Sequence, residues 1–330
     1  MKNFEYAAPR YESDVVGLLS PEEGRTAVLA GGTDLIPLLK KMIAVPDRVV
    51  NVMEVPSLKQ IEMLADGGLR IGAAVTLDRI LDSDYLRDYA AVLQAIRGIN
   101  SMQLQCQGTI GGDICRRPQC WFFRNGRGLL TDAGRQTADG DNRFHAIFGN
   151  AGPAKFVSAS RIAPALVAMG ATFRVIGPGA DDETLVPAGE FFRTPKREGQ
   201  GENVLLPNQL LAHIYLPPAQ GVTSATYEVR HGAGPEDPLA AASAALEIVN
   251  GIVRNARVVL GHVAPTPWQS AEAAELLVGR TINEETAEAA GRAAVASATP
   301  LSNNAYKVQL AKVAVKRAVL SAAGLTTGGH

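Results

Sequence analysis

The chain reads as a mixed helix-and-strand protein of two or three domains, and three observations carry that reading. Short apolar stretches of strand length alternate with segments whose apolar residues recur at helical spacing. Two glycine-rich turns, Ala30-Gly31-Gly32-Thr33-Asp34-Leu35-Ile36 and Gly108-Thr109-Ile110-Gly111-Gly112-Asp113, interrupt the alternation. A proline-led break, Pro217-Pro218-Ala219-Gln220-Gly221, sets off the remainder of the chain. A length of 330 residues fits this count, at about 100–200 residues per domain.

Taken in order, residues 14–19 form a short helical candidate, and Ser20-Pro21-Glu22-Glu23 carries the Ser, Pro and Glu of a helix start. Residues 26–30 read as a strand that runs straight into the first glycine turn. Leu35, Ile36, Leu38, Leu39 and Met42 then recur as a helix, capped by Thr33 or Asp34. That turn therefore joins a strand to a helix N-terminus, where free N–H groups favour a phosphate. Val49 to Val52 reads as a closing strand. Further on, 69–72 reads as a strand, 76–81 and 90–96 as helices, 163–169 as a helix, and 173–176 and 210–216 as strands. The stretch 115–155 is a long polar loop rich in Gly and Arg, of a length usually tied to function or disorder. Residues 195–203 read as a charged surface turn. Beyond the proline break come strands at 226–230 and 253–259 around a helix at 238–249. Helices follow at 270–278, 284–297 and 306–322, with Lys307, Lys312, Lys316 and Arg317 on the solvent side of the last.

Composition excludes several classes. A hydrophobic content of 46% supports a packed core. Lys and Arg total 32 against 33 Asp and Glu, a balance that argues against nucleic acid or a membrane surface as partner. No apolar run reaches the roughly 18–20 residues that span a bilayer. Residues 1–6 lack the apolar stretch of a signal peptide, so the expectation is a cytoplasmic protein. Three cysteines, Cys106, Cys115 and Cys120, do not make a disulfide framework.

Glycines let backbone N–H groups approach an anion closely, and neighbouring hydroxyls add donors. Two such turns suit the two phosphates of a dinucleotide, yet neither follows the G-x-G-x-x-G pattern of the doubly wound nucleotide fold.

Five segments in order carry a family resemblance that covers nearly the whole chain. They are the two glycine turns, Asn142-Arg143-Phe144-His145-Ala146-Ile147-Phe148-Gly149, Gly261-His262-Val263-Ala264-Pro265-Thr266-Pro267-Trp268, and Pro300-Leu301-Ser302-Asn303-Asn304-Ala305-Tyr306-Lys307-Val308. Together they resemble the FAD-binding medium subunit of the molybdenum hydroxylases. That family includes the carbon monoxide dehydrogenase medium subunit, the xanthine dehydrogenase flavin domain and the 4-hydroxybenzoyl-CoA reductase flavin subunit. The resemblance implies an α+β chain: a two-subdomain PCMH-type FAD-binding fold, then a C-terminal α/β domain like that of the carbon monoxide dehydrogenase flavoprotein. The subdomains would be 1–55 and 56–217, the second holding the loop 115–155, and the C-terminal domain 222–330.

It further implies that Ala30, Gly31, Gly32, Thr33, Asp34, Leu35 and Ile36, with Thr109, Ile110, Gly111, Gly112 and Asp113, wrap the pyrophosphate and ribityl chain of FAD. Leu211 would lie near the flavin and Ile99 near the adenine end. In a complete hydroxylase, a molybdenum subunit oxidises substrate and a [2Fe–2S] subunit relays electrons to FAD and on to an external acceptor. No catalytic residue is assigned within this subunit, and no metal ligand.

The chain departs from the family in three places. Members with the long loop include some that hold a [4Fe–4S] cluster on four cysteines. Cys120 falls at the first of those positions, but residues such as Leu130, Asp132 and Ala154 stand in the region of the others, so a cluster is not expected. Arg161 stands where the family commonly has Asp, and as a donor suits a phosphate. Glu228 stands where relatives carry a Lys near the flavin ring, a change expected to lower the reduction potential. Arg116, Arg117 and Arg124 are candidates for an anion or for a solvated basic face. Trp121, Phe122 and Phe123 are read as core, with a substrate platform as the rival, and His145 as structural rather than acid–base. Three functions stay open on sequence: a flavin subunit of a hydroxylase, a stand-alone FAD oxidoreductase acting on a small organic substrate, and a flavin-free assembly subunit.

Overall fold

Three sheets organise the chain in the computed structural model, which describes residues 1–179 and 181–327. The last three positions of the expected C-terminal domain therefore lie outside the described residues. The first sheet is parallel, with strands Glu5–Ala7, Arg48–Asn51 and Thr26–Leu29 side by side in that order. Parallel neighbours need a crossover. The helix Leu35–Lys40 lies in the one between Thr26–Leu29 and Arg48–Asn51, so the first glycine turn sits at the carboxyl end of a strand. The expected helix start at Ser20 is instead a turn, in which the Ser20 hydroxyl accepts from the N–H of Glu22 at 3.1 Å.

The second sheet is antiparallel, ordered Ile61–Met63, Leu69–Gly72, Leu210–Leu216, Thr172–Ile176 and Glu183–Pro187. Helices Ala90–Gly98 and Ala163–Ala168 bury their apolar sides against it, giving a core that includes Ile71, Ile96, Leu166, Phe173 and Ile214. The second glycine turn opens a short helix, Ile110–Ile114, whose Thr109 hydroxyl accepts from the N–H of Gly112 at 3.1 Å.

The third sheet is antiparallel, ordered Trp268–Gln269, Ile252–Gly261, Ala240–Val249 and Val222–Val229. Helices Ala271–Leu277, Glu284–Ala294 and Tyr306–Ala322 cover one face. The helix expected at 238–249 is thus a strand. Alanine favours helices, but here tertiary position wins, because every residue from Ala240 to Leu246 is buried. The strand alternates between two cores: Ala240, Ala242, Ala244 and Leu246 face the C-terminal helices, while Ala245 joins the core of the second sheet. A strand covered on both faces reads as one apolar run, and its period of two is hidden. Lys307 also departs from expectation. It lies inside the fold at 1% exposure, and its ammonium donates to the carbonyls of Phe144, His145 and His262 at 3.3, 3.1 and 2.7 Å.

Candidate functional site

The two glycine turns touch. A β-carbon at Gly31 would fall 1.6 Å from the carbonyl oxygen of Gln107, and one at Gly111 would fall 2.6 Å from the β-carbon of Ala73. Close backbone packing therefore requires glycine at both places. Gly32 has φ +74°, a conformation that also favours glycine. Among the described residues, none accepts from the backbone N–H of Gly32, Thr33 or Asp34.

Between the turns lies a cavity of about 560 Å³. Ala30, Gly31, Gly32, Thr33, Asp34 and Leu35 line it from one side, Thr109, Gly111 and Gly112 from another, and the buried Leu211 from the central strand of the second sheet. The remaining candidates lie off the wall. Ile36 packs its side chain beneath Gly32. Ile110 is fully buried in the core of the second sheet, as is most of Ile99. Asp113 turns inward, accepting from the Ser160 hydroxyl at 2.5 Å and from the N–H groups of Arg161 and Ile162 at 3.4 and 3.1 Å. Burial pushes the Asp113 carboxyl up, against the pull of Ser160 and Arg116.

Arg161 and Glu228 meet each other. Nε and Nη2 of Arg161 donate to the two carboxylate oxygens of Glu228 at 3.0 and 2.8 Å, with side chains 1% and 6% exposed. Arg230 adds a second guanidinium to Glu228 at 2.9 Å. The Arg161 guanidinium thus lies against a carboxylate in this structure, and Glu228 is not a lone charge.

The other arginines are likewise engaged. Arg116 pairs with Asp237 at 2.7 Å. Burial opposes ionisation of Asp237, yet the Arg116 charge holds its carboxyl below the usual range. Arg117 pairs with the buried Glu202 at 2.6 Å, whose carboxyl burial pushes up despite that guanidinium. Both arginines also line the cavity, as does Cys115, whose thiol burial pushes up to about 12. Arg124 donates to Asp34 at 2.7 Å. The expected cap role of Asp34 is not seen; its carboxylate instead accepts from the Arg117 N–H, the Gln119 amide and Arg124. Sequence reasoning passed over Gln209, Leu205 and Glu202, which stand near the cavity only because the second sheet folds back against the first. No local pattern signals that.

The long loop holds two short helices, Trp121–Arg124 and Arg135–Asp139. Phe123 is core, as expected, whereas Trp121 and Phe122 line an open hollow of about 730 Å³ with Arg127, Gln136 and Asp139. Cys120 lies 3.1 Å from Nε2 of His145, whose imidazole burial pulls down to about 4. Leu130 and Ala154 join Leu38, Phe123, Leu129 and Phe156 in one apolar cluster, with Cys120 packed on its side.

Comparison with known proteins agrees with this architecture. Residues 2–219 match the FAD binding domain in molybdopterin dehydrogenase, and residues 228–322 match the CO dehydrogenase flavoprotein C-terminal domain. The chain is 31% identical over 289 residues to the aldehyde oxidoreductase FAD-binding subunit PaoB of Escherichia coli K12, covering 86% of this chain and 87% of that one. It is 27% identical to the carbon monoxide dehydrogenase medium chain of Hydrogenophaga pseudoflava, covering 97% and 96%. Quinoline 2-oxidoreductase from Pseudomonas putida 86 shares the fold with a TM-score of 0.75, at 22% identity over 98% of this chain and 99% of that one. The two matching family models and the 31% identical relative define an FAD-binding oxidoreductase subunit. The chain belongs to the FAD-binding medium subunits of the molybdenum hydroxylase family. Among the described residues, no helix is long and apolar enough to cross a membrane.

Proposed function

We propose that this chain holds FAD between its two glycine turns and passes electrons from molybdenum and [2Fe–2S] partner subunits to an external acceptor. The observation that carries this is the contact between the turns, which makes one cavity from two distant stretches of chain. Bound FAD would supply the two-electron redox chemistry. Gly31, Gly32, Thr33 and Asp34 would offer backbone donors on one side; Thr109, Gly111 and Gly112 would close the other, and Leu211 would set the apolar wall. Ile36, Ile110 and Asp113 would support those turns from behind, and the Arg161–Glu228 pair would fix the adjoining segment. A [4Fe–4S] cluster has no part in this reading, because Leu130 and Ala154 occupy the loop interior.

The test is purification followed by absorption near about 450 nm, the region of an oxidised flavin cofactor, together with iron analysis and gel filtration. FAD at one per chain, no iron in this subunit, and co-elution with molybdenum and iron–sulfur partners are expected. A colourless chain that FAD cannot reconstitute would leave the assembly role. A lone chain whose flavin bleaches directly with an organic substrate would make it a stand-alone enzyme.

A further inference from the structure

We propose that residues 115–155 are a strap that holds the first glycine turn closed, with Arg124 the positioning residue at its joint with Asp34. The proposal rests on that turn binding FAD. The strap grips the turn in two ways. Its polar grip is the Asp34 carboxylate, which accepts from the Arg117 N–H at 3.0 Å, the Gln119 amide at 3.1 Å and Arg124 at 2.7 Å. Its apolar grip is Leu38, on the helix that follows the turn, packed with Phe123, Leu129, Leu130, Ala154 and Phe156.

The far end of the strap is bolted to the C-terminal half. Asn142, fully buried, donates to Ser302 at 2.9 Å and accepts from the Asn303 N–H at 2.9 Å. Asn304 donates to the carbonyls of His145 and Ala146 at 3.1 and 3.2 Å, and Lys307 holds those of Phe144 and His145. Movement of the turn away from a bound cofactor therefore has to break the joint or drag a strap fixed at its other end.

Arg124 organises the joint. One guanidinium spans Asp34 and the carbonyls of Arg117 and Pro118, at 2.7, 2.7 and 2.8 Å, with its side chain only 11% exposed. Charge-assisted bonds of this kind are about twice as strong as neutral ones. A lysine ammonium, a point charge without the planar fork, cannot make the same three contacts. The apolar cluster lets the strap keep its shape without metal.

The experiment compares FAD release from the purified wild type, Arg124→Ala, Arg124→Lys and Gln119→Ala, read by the flavin fluorescence regained on dissociation. Release should quicken about tenfold or more in Arg124→Ala, the equivalent of roughly 1.4 kcal/mol. It should quicken nearly as much in Arg124→Lys and less in Gln119→Ala. A second readout uses the exposed Arg127 and Arg135 of the strap as tryptic sites. Coupling is reciprocal, so added FAD should slow cleavage there in the wild type, and Arg124→Ala should lose that protection. If Arg124→Ala does not fold, Gln119→Ala and the wild-type cleavage experiment decide. Variants that release FAD at the wild-type rate, or wild-type strap cleavage indifferent to FAD, overturn the strap alone. A wild type that takes up no FAD overturns the FAD reading as well.

Discussion

The guanidinium of Arg161 and the carboxylate of Glu228 form a two-pronged ion pair joining the segment behind the second glycine turn to the first strand of the C-terminal sheet. The resemblance places an acid and then a lysine at these positions; this chain has a base and then an acid. In this structure that base and that acid are each other's partner. Removing one member of such a buried pair costs about 3–5 kcal/mol, because the other charge is left without a partner. Glu228→Lys should therefore lower the urea midpoint sharply. The double variant Arg161→Asp/Glu228→Lys should recover most of the loss. Additive damage in the double variant would show that the pair is not a unit.

Two glycines offer a direct contrast. Gly31→Ala drives a β-carbon into the carbonyl of Gln107 and should separate the turns, with FAD uptake lost and stability reduced. Gly17 lies in the helix Glu12–Leu18 with nothing within 4 Å of a β-carbon. Gly17→Ala should stabilise the chain by about 0.5–1 kcal/mol through helix propensity. Thermal melts and flavin titration of both variants check this. Normal flavin uptake by Gly31→Ala would contradict the packed contact between the turns.

Two buried histidines should each take stability away on mild acidification. Burial pulls His145 and His262 from 6.5 down to about 4. Between those values the unfolded chain takes up protons that the folded one refuses, so stability conferred by the neutral rings is present above pH 6.5 and declines towards pH 4. At about 1.4 kcal/mol per pH unit, each ring contributes roughly 3 kcal/mol over that window. His262 has φ +59°, which asparagine tolerates. Urea melts of His262→Asn from pH 7 to 4.5 should show a shallower decline than the wild type.

Lys307→Met should destabilise strongly despite a similar length and shape. It strips three carbonyls of their donor in the interior, and each orphaned group costs about 1–3 kcal/mol. Burial pulls this ammonium down to about 7. The buried charge therefore opposes folding in full below about 7, and that penalty fades as pH climbs from there to the unfolded value, so the contribution of Lys307 to stability should rise through that interval. A denaturation series from pH 7 to 10 reads the rise, and Lys307→Met should abolish it.

The glycine turns, the strand before the first of them and most helices were legible, because backbone demands and period are local. Strand Ala240–Val249 was not, since burial on both faces erases the alternation that marks a strand. Lys307 followed the rule that lysines face solvent, and only the three carbonyls converging on it explain the exception. For Asp34, the sequence placed the residue in the first glycine turn but did not indicate its partner. Its carboxylate serves the loop 115–155, a contact made across some eighty positions of chain that no spacing rule anticipates.

That same strand, Ala240–Val249, bears on how such chains are inherited. Two family models meet in the interval between residues 219 and 228, as though a cofactor module had been joined to a separate partner. Yet Ala245 and Val259, from beyond that seam, sit in the core of the module before it. A gene cut at the seam would encode a first half missing part of its own interior. Recombination that exchanged one half alone would have to match the replaced small side chains to a core it had never met. The gap between the two matched ranges is not a gap in the packing, and the folded chain is continuous across it.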